Sequence, residues 1–198
     1  MNSIERRAAI SLALIYSTRM LGLFMILPVF VLYAEKLADI TPFLIGVAIG
    51  IYGLTQAMFQ IPFGIWSDRI GRKPVIIFGL LLFAMGSVVA AIATTIEWII
   101  IGRALQGTGA IAAAVMALAA DLTREQHRTK VMAIIGASIG FSFMLALILG
   151  PILQAWFGVP GIFWLTAVFA LLGILVVSFL VPNVQLPKTQ SELSVGRQ

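Results

Sequence analysis

Residues 64–73 read GIWSDRIGRK, and this short polar stretch joins two long apolar segments. Asp68 and Arg69 follow the C-terminal end of the first apolar segment, and Arg72 and Lys73 precede the N-terminal end of the second. A helix macrodipole favours anions at N-termini and cations at C-termini. Because Asp68, Arg72 and Lys73 oppose this preference, we expect them to bind partners elsewhere, as in a moving part of a membrane protein.

The composition of the whole chain indicates a membrane protein. Hydrophobic residues make up 61% of the 198 residues and charged residues 11%, whereas a soluble domain carries about 25% charged residues. The absence of cysteine excludes disulfides and thiolate metal sites, and the single histidine, His127, excludes most histidine-based catalytic sites. A net charge of +5 is compatible with nucleic acid, but cytoplasmic loops of membrane proteins also carry excess Lys and Arg. We therefore expect a lipid bilayer as partner and no nucleic acid.

The N-terminus resembles a signal peptide only in part. Arg6 and Arg7 precede an apolar run, as a charged n-region precedes an h-region. The run continues to about Tyr33, Arg19 interrupts it, and no A-x-A-like cleavage site follows. We expect a first membrane helix that is retained.

Six stretches are long and apolar enough to cross a bilayer, which requires about 20 mainly apolar residues. They are residues 9–33, 42–66, 74–95, 97–120, 130–153 and 161–181. Pro42 and Pro74 stand at two of the starts, where a missing N–H costs nothing, and Pro182 follows the last stretch. The sequence predicts an all-α membrane domain of six transmembrane helices over residues 1–182. A polar segment without clear periodicity, 183–198, predicts a disordered cytoplasmic linker.

The distribution of Lys and Arg predicts the orientation in the membrane. Ten of these residues fall on one side of the predicted spans, namely Arg6, Arg7, Arg69, Arg72, Lys73, Arg124, Arg128, Lys130, Lys188 and Arg197. Lys36 falls on the other side, and Arg19 and Arg103 lie within spans. Because cytoplasmic loops are enriched in positive residues, we expect both termini in the cytoplasm.

Polar side chains are concentrated in the first, second, fourth and fifth spans. Tyr52, Gln56 and Gln60 recur every four residues and share one face of the second span. Ser138 and Ser142 have the same spacing in the fifth. We expect these side chains to line a cavity, with the third and sixth spans outside. The alternative is that they only join helices through hydrogen bonds.

Two units of three spans have corresponding features. Residues 45–50 read IGVAIG and residues 135–140 read IGASIG, and both are small-xxx-small patterns. Arg19 and Arg103 lie in the first span of each unit. Because each unit has an odd number of helices, the second is inverted, as in many secondary transporters. The pattern predicts a 3+3 inverted repeat.

Two motifs are similar to signatures of the major facilitator superfamily. Residues 64–73 resemble the loop 2–3 signature G-x-L-A-D-R-x-G-R-K, with Trp66 in place of Leu and Ser67 in place of Ala. Residues 103–110, RALQGTGA, resemble the span 4 signature R-x-x-Q-G-x-G-A. A third signature, the antiporter motif of the fifth span, is partial: Gly150-Pro151 is present, but Gln154-Ala155 replaces a glycine pair.

The resemblance covers residues 6–183. Sequence outside the two motifs, including residues 50–56 and 121–126, is similar to the YajR-type proton-driven drug efflux transporters of bacterial inner membranes. It implies half of a twelve-helix fold, with six spans supplied by a missing C-terminal half or by a second copy of the chain. It also implies a small-molecule substrate, the proton gradient as energy source and no cofactor. The mixed polar and apolar lining suits drugs or other amphipathic organic molecules.

The loop 2–3 motif implies a conformational switch. Its members are Gly64, Asp68, Arg69, Gly71, Arg72 and Lys73, with Asp121 as a further candidate. Asp121 is an anion at a helix C-terminus on the same predicted membrane face as Arg72. We hypothesise an Asp121–Arg72–Asp68 relay that clamps the cytoplasmic helix ends. The alternative is that these are independent, solvated loop charges.

The span 4 motif implies a role in proton coupling for Arg103, Gln106 and Gly107. A charge within a span costs about 2.5–3.5 kcal/mol on insertion scales and is usually functional, although hydrogen bonds to carbonyls or to Gln106 would give Arg103 a structural role instead. Arg19, nearer the predicted midplane, could attract an anionic group or tune a proton site. Because no Asp or Glu lies mid-membrane, the proton carrier belongs to the missing half, or coupling involves Glu97.

Three other classes of function compete with a transporter. A non-transporting binding or assembly module, or a self-associating half-transporter, remains open, since two copies related by an axis along the membrane normal could mimic two halves. An enzyme is disfavoured because the sequence has no nucleophile–base pair, metal cluster or cofactor motif. A channel is disfavoured because no filter sequence is present.

Overall fold

The computed structural model describes residues 1–35 and 40–181. They form the helices α1 (Ser3–Ala34), α2 (Pro42–Ile70), α3 (Arg72–Ile92), α4 (Ile96–Thr108), α5 (Ala112–Asp121) and α6 (Glu125–Phe179). Lys36, Pro182 and the predicted linker 183–198, with Lys188 and Arg197, lie outside the described residues.

Side-chain caps fix the starts of the first two helices. The Asn2 side chain accepts a hydrogen bond from Glu5 N at 2.8 Å, and the Glu5 carboxylate accepts one from Asn2 N at 2.7 Å. This reciprocal pair is a capping box, and it satisfies two backbone donors that a helix start leaves free. Thr41 caps α2 by accepting from Leu44 N at 3.3 Å, with Pro42 in the first turn.

The polar stretch 64–73 is helical except at one residue. α2 continues to Ile70, so Asp68 lies in its last turn rather than in a loop, and α3 begins at Arg72. Gly71 between them has φ 103°, a conformation that glycine adopts without steric cost. The predicted loop is therefore a sharp corner that brings the C-terminal end of α2 next to the N-terminal end of α3.

The fourth predicted span, 97–120, is not one continuous helix. α4 ends at Thr108 and α5 begins at Ala112. At Gly109 the backbone turns out of the helical path, with φ −71° and ψ 50°, and its carbonyl accepts a hydrogen bond from Ile111 N at 2.9 Å. Glycine is a weak helix former, and here it also allows close contact with α3, because a Cβ would overlap the Gly79 carbonyl oxygen.

The fifth and sixth predicted spans, 130–153 and 161–181, fall largely within α6, which has 55 residues. A straight helix of this length would measure about 80 Å at 1.5 Å per residue, far more than the roughly 30 Å of a bilayer core. Gly158, with φ 67° and ψ 177°, interrupts the helix. Counted by helix length and composition, the described residues contain five candidate membrane helices, with α4 and α5 taken together.

The first part of α6 runs parallel to α1. Ser138 Oγ lies 3.5 Å from the Ala13 carbonyl oxygen, and the rings of Phe24 and Phe143 meet edge to face at 5.1 Å. Residue numbers therefore rise together along the two helices.

The second part of α6 runs antiparallel to α1. Thr166 Oγ1 donates to the Gly22 carbonyl at 3.3 Å, whereas the Phe179 carbonyl accepts from Arg7 Nη2 at 3.3 Å near the start of α1. As residue numbers rise along this part of α6, the residue numbers of its partners on α1 fall. The chain direction thus reverses at Gly158.

Two clusters of buried apolar residues hold the bundle together. One contains Leu12, Val75, Leu118, Val131 and Val177, near the end where the chain starts. The other contains Phe30, Ala90, Ile96, Ile99 and Phe163, towards the opposite end. Two buried arginines interrupt this apolar interior: Arg19 follows Tyr16 of the first cluster, and Arg103 follows Ile99 of the second.

Candidate functional site

Arg72 is the centre of an ionic cluster at the ends of α2, α3 and α5. It pairs with Asp68, and its Nε lies 3.2 Å from Oδ2 of Asp121. Its Nη1 donates to Ser67 Oγ at 2.8 Å. Arg72 is 20% exposed, against 60% for Asp68 and 39% for Asp121. We call these four residues the Arg72 cluster; their mutual pairing offsets three charges that each oppose the local helix macrodipole.

The other residues of the loop 2–3 motif surround the Arg72 cluster. A Cβ at Gly64 would lie 3.4 Å from Ala113 Cβ, so α2 and α5 are in close contact there. Lys73 Nζ donates to the Val181 carbonyl beyond the end of α6. Arg69 is exposed. The structure therefore brings Asp68 and Arg72 close to the C-terminal end of α5. Lys73 instead contacts the chain just beyond the end of α6.

Arg103 is buried between α2, α3 and α4 and is 2% exposed. Its Nε donates to the Ala48 carbonyl and its Nη1 to Gln106 Oε1, both at 3.3 Å. Its guanidinium carbon lies 5.1 Å from the ring centroid of Tyr52. Gln106 Nε2 in turn donates to Ser87 Oγ at 2.7 Å. The hydrogen bonds expected for a structural role of Arg103 are present, and a role in proton coupling remains a proposal.

Ser87 and Gly107 complete the surroundings of Arg103. Ser87 is fully buried and also donates to the Phe83 carbonyl at 2.7 Å. The third span was predicted to lie outside the cavity, and no contact of Ser87 with Gln106 was predicted; the lone polar residue in most of an otherwise apolar span was the available signal. A Cβ at Gly107 would overlap the Tyr52 carbonyl oxygen, so this glycine permits close contact between α4 and α2.

Arg19 lies near the same Tyr52 ring as Arg103 and is 1% exposed. Its Nη2 donates to the Gly109 carbonyl at 2.9 Å, and its guanidinium carbon lies 5.0 Å from the ring centroid of Phe83 and 6.0 Å from that of Tyr52. The hydrogen bond places a cation at the C-terminus of α4, where the macrodipole favours one. We call Arg19, Tyr52, Ser87, Arg103 and Gln106 the polar layer.

A cavity of about 290 Å³ lies against α1 and α2 beside the polar layer. Its walls are formed by Met20, Leu23, Tyr52, Gly53, Gln56, Ala57 and Gln60. The three polar side chains predicted to share a face of α2 thus meet at one cavity. Ser138 and Ser142 are not among its lining residues; their hydroxyls donate to the carbonyls of Ile135 at 2.7 Å and of Ser138 at 2.9 Å within α6.

A further ion pair joins α1 to the start of α6. Glu5 is 2% exposed, and its Oε1 accepts from Arg124 Nε at 2.9 Å and from Arg124 N at 3.1 Å. The N-terminal ammonium group of Met1 lies 3.1 Å from His127 Nε2. No spacing rule relates residues so distant in sequence, so the sequence could not predict these contacts.

The substitution Ser87→Ala should destabilise the protein by about 1–3 kcal/mol, because it leaves the buried Gln106 amide without its acceptor. The melting temperature, followed by tryptophan fluorescence, should fall by about 2–4 °C per kcal/mol. Ser178→Ala is a matched control, since Ser178 makes the same kind of bond to the Ile174 carbonyl, at 2.8 Å, but is exposed. Equal melting of both variants would show that the Ser87–Gln106 bond contributes nothing.

With this geometry established, comparison with known proteins identifies the family. The family model of the Major Facilitator Superfamily matches residues 12–196. The chain belongs to this superfamily. Since the superfamily comprises transporters, the chain is part of a transport protein and not of an enzyme.

Relatives and solved structures agree with the family. The chain is 58% identical over 179 residues to the inner membrane transport protein YajR of Escherichia coli K12, covering 90% of this chain and 39% of that protein. It is 48% identical over 185 residues to an uncharacterized transporter of Buchnera aphidicola, covering 93% and 47%. A bacterial homologue of the human lysosomal transporter Spinster shares the fold, with a TM-score of 0.80, 14% identity, and coverage of 100% and 49%. The chain thus spans less than half the length of these relatives.

Proposed function

We propose that the chain is the amino-terminal half of a secondary active transporter that uses the proton gradient to export drugs or small amphipathic organic molecules by alternating access. The observation that carries this proposal is the Arg72 cluster, in which one half-buried cation joins the ends of three apolar helices. Because partly exposed ion pairs contribute little each, such a cluster can hold one state closed and still release it. The superfamily and the resemblance to proton-driven exporters support the energy source and substrate class.

We infer that the chain crosses the membrane six times, as a 3+3 inverted repeat. α1, α2 and α3 supply the first three crossings, and residues 96–121, 125–157 and 159–179 supply the others. The reversal of direction at Gly158 supports two crossings within α6. The parallel course of α1 and 125–157 agrees with inversion of the second unit.

We infer a bacterial inner membrane location with both ends of the six-helix unit in the cytoplasm. An even number of crossings returns the chain to its starting side, and the contact between Arg7 and Phe179 supports this. The Arg72 cluster lies at the same end, where most Lys and Arg residues are found, and positive residues favour the cytoplasmic side. The relationship to an inner membrane transport protein supports the choice of membrane.

The faces left open on α2 and α6 support a second half as partner. At five glycines, a Cβ would meet no atom within 4 Å: Gly46, Gly50 and Gly53 of α2, and Gly136 and Gly140 of α6. Small residues allow helices in membranes to approach closely. Together with the length of the relatives, these faces favour a missing C-terminal half. A second copy of the chain, or a role in assembly without transport, is the alternative.

Transport in vesicles tests the proposal. Inside-out vesicles containing the chain, together with the part of the Escherichia coli relative that follows the matched region, should accumulate an amphipathic probe, either the cation ethidium or the anion 1-naphthoate, when their interior is acidic. A protonophore should abolish the accumulation, and vesicles with either half alone should show none. Accumulation by the chain alone would identify a self-associating half-transporter. Absence of accumulation with both halves correctly inserted would contradict transport of this class and favour an assembly role.

A further inference from the structure

The polar layer contains two buried cations without an anionic partner among the described residues. Arg19 is 1% and Arg103 2% exposed, and their guanidinium carbons lie 6.0 and 5.1 Å from the ring centroid of Tyr52. The ion pairs formed by residues 1–35 and 40–181 involve neither arginine. A buried charge that is left without a partner is strongly destabilising. Two hydrogen bonds to neutral oxygens offset this cost in part for Arg103, whereas Arg19 makes only one among the described residues, which indicates a missing anion near Arg19.

Several donors in this layer are unused. Arg19 donates through Nη2, but its Nε and Nη1 are buried without a hydrogen-bond partner in the described part of the chain. The Tyr52 hydroxyl is also buried and lacks a hydrogen-bond partner among the described residues. Buried polar groups in proteins are nearly always hydrogen-bonded. These unused donors therefore indicate a ligand with acceptor oxygens.

We propose that Arg19 and Tyr52 form the binding site of a small organic anion, so that the substrate carries a carboxylate or a similar oxyanion. The inference rests on the proposed transport function and specifies its substrate class. The unused Nη1 of Arg19 can donate a charge-assisted hydrogen bond to a carboxylate, and the Tyr52 hydroxyl offers a further donor. Arg103, whose guanidinium carbon lies 5.1 Å from the centroid of the same Tyr52 ring, contributes a second positive charge. The 290 Å³ cavity takes the apolar body, with Gln56 and Gln60 offering further polar contacts.

The geometry favours an anion from solution over a carboxylate side chain of a second half. Arg19 is enclosed by elements of this chain: Phe83 of α3, Tyr52 of α2 and the bend at Gly109. A side chain from outside would have to pass between these elements. Arg19 is not among the residues that line the cavity, but Tyr52 lies on the cavity wall and its ring is also near Arg19. A small molecule in the cavity can therefore reach Arg19 by a shift of this one side chain, whose hydroxyl no described hydrogen bond holds in place.

Two ligands of equal shape test the proposal. 1-Naphthoate and the uncharged 1-naphthamide share a ring system and differ in charge, and their binding to the purified protein can be measured by calorimetry. We expect naphthoate to bind at least tenfold more tightly. Equal affinity of the two compounds for the unmodified protein would overturn the proposal.

The variants distinguish a binding role from a structural one. Tyr52→Phe keeps the ring and removes a hydroxyl that has no partner among the described residues, so the melting temperature should not fall. Naphthoate binding should weaken about three- to tenfold, and naphthamide binding should weaken less, because its carbonyl oxygen carries no full charge. Arg19→Gln should abolish the preference for naphthoate, and if that variant fails to fold, Tyr52→Phe decides. Tyr33→Phe, a partly exposed tyrosine near the end of α1, is the control and should bind as the unmodified protein does. An unchanged naphthoate affinity in Tyr52→Phe would overturn the assignment.

The outcome can be separated from that of the transport test. Selective naphthoate binding without proton-driven accumulation in vesicles would refute the proposed function and leave the anion site standing. Ethidium accumulation without selective naphthoate binding would refute the anion site alone.

Discussion

Replacing Arg72 with alanine is expected to reduce transport at least tenfold in the assembled protein. The substitution leaves Asp68 and Asp121 near one another without the cation between them. Both are anions at helix C-termini, which the macrodipole disfavours, and their mutual repulsion separates the ends of α2 and α5. A tenfold change corresponds to about 1.4 kcal/mol, which the loss of a half-buried double ion pair can supply.

The same substitution should shift the balance between the two openings of the cavity. The chain has no cysteine, so a single cysteine at Gly53, which lines the cavity and has open space around its Cα, reports access without background. Labelling from the side of the Arg72 cluster should increase when Arg72 is replaced. Arg72→Lys should be intermediate, because one ammonium cannot reproduce the planar fork.

Arg128→Ala provides the control for Arg72→Ala. Arg128 lies towards the same end of the bundle, is 48% exposed and pairs only loosely with Glu125, at 3.7 Å. Exposed pairs of this kind contribute little, so transport should remain near that of the unmodified protein. If Arg72→Ala instead transports and labels like the unmodified protein, the cluster does not control the conformational state.

The contacts of Arg72 could be predicted because they follow from a conflict visible in the sequence. Charges placed against the helix macrodipole require partners, and the short connection limits where those partners lie. The shared face of Tyr52, Gln56 and Gln60 could be predicted for a similar reason, since helical periodicity fixes the direction of side chains. The shared face of α2 and the pairing of Arg72 with Asp68 depend on local geometry, which sequence spacing determines. The contact with Asp121, 49 residues from Arg72, was predicted instead from the membrane face that the two residues share.

The environment of Arg19 could not be predicted, because it depends on a break in a helix. Composition and length predict an unbroken fourth span, in which the Gly109 carbonyl would accept a hydrogen bond from the backbone N–H four residues later rather than from a side chain. The break arises from close contact with Gly79 of α3, which is a tertiary effect. The contact of Ser87 with Gln106 was missed for the same reason: the rotation of α3 about its axis is set by packing rather than by its own sequence.

The reversal at Gly158 shows a related limit. Six spans can be counted from hydropathy, yet the described backbone continues as helix on both sides of a single non-helical residue. The separate predicted spans 130–153 and 161–181 imply opposite directions, and in this backbone it is the contacts with α1 that show them. Topology in such a chain is therefore decided by which surfaces pack together, and glycines control how closely they do so.

Gly86→Ala is accordingly expected to cause a large loss of stability. A Cβ at Gly86 would lie 2.5 Å from both Gln106 N and the Gly102 carbonyl oxygen. These are backbone atoms of α4, which cannot move aside as a flexible side chain would. Helices α3 and α4 would have to separate, and Gln106 would lose its position between Ser87 and Arg103. Overpacking alone costs about 1–3 kcal/mol, and the displaced buried amide adds about 1–3 kcal/mol.

The total of about 2–6 kcal/mol corresponds to a drop in melting temperature of roughly 4–24 °C, measured by tryptophan fluorescence in detergent. Gly140→Ala is the matched control, because Gly140 is also helical but has no atom within 4 Å of where its Cβ would lie. Alanine favours a helix over glycine by up to about 1 kcal/mol, so this variant should melt at the same temperature or slightly higher. If the two variants melt alike, α3 and α4 are not in backbone contact at Gly86, and the arrangement that positions Gln106 and Arg103 must be different from the one described.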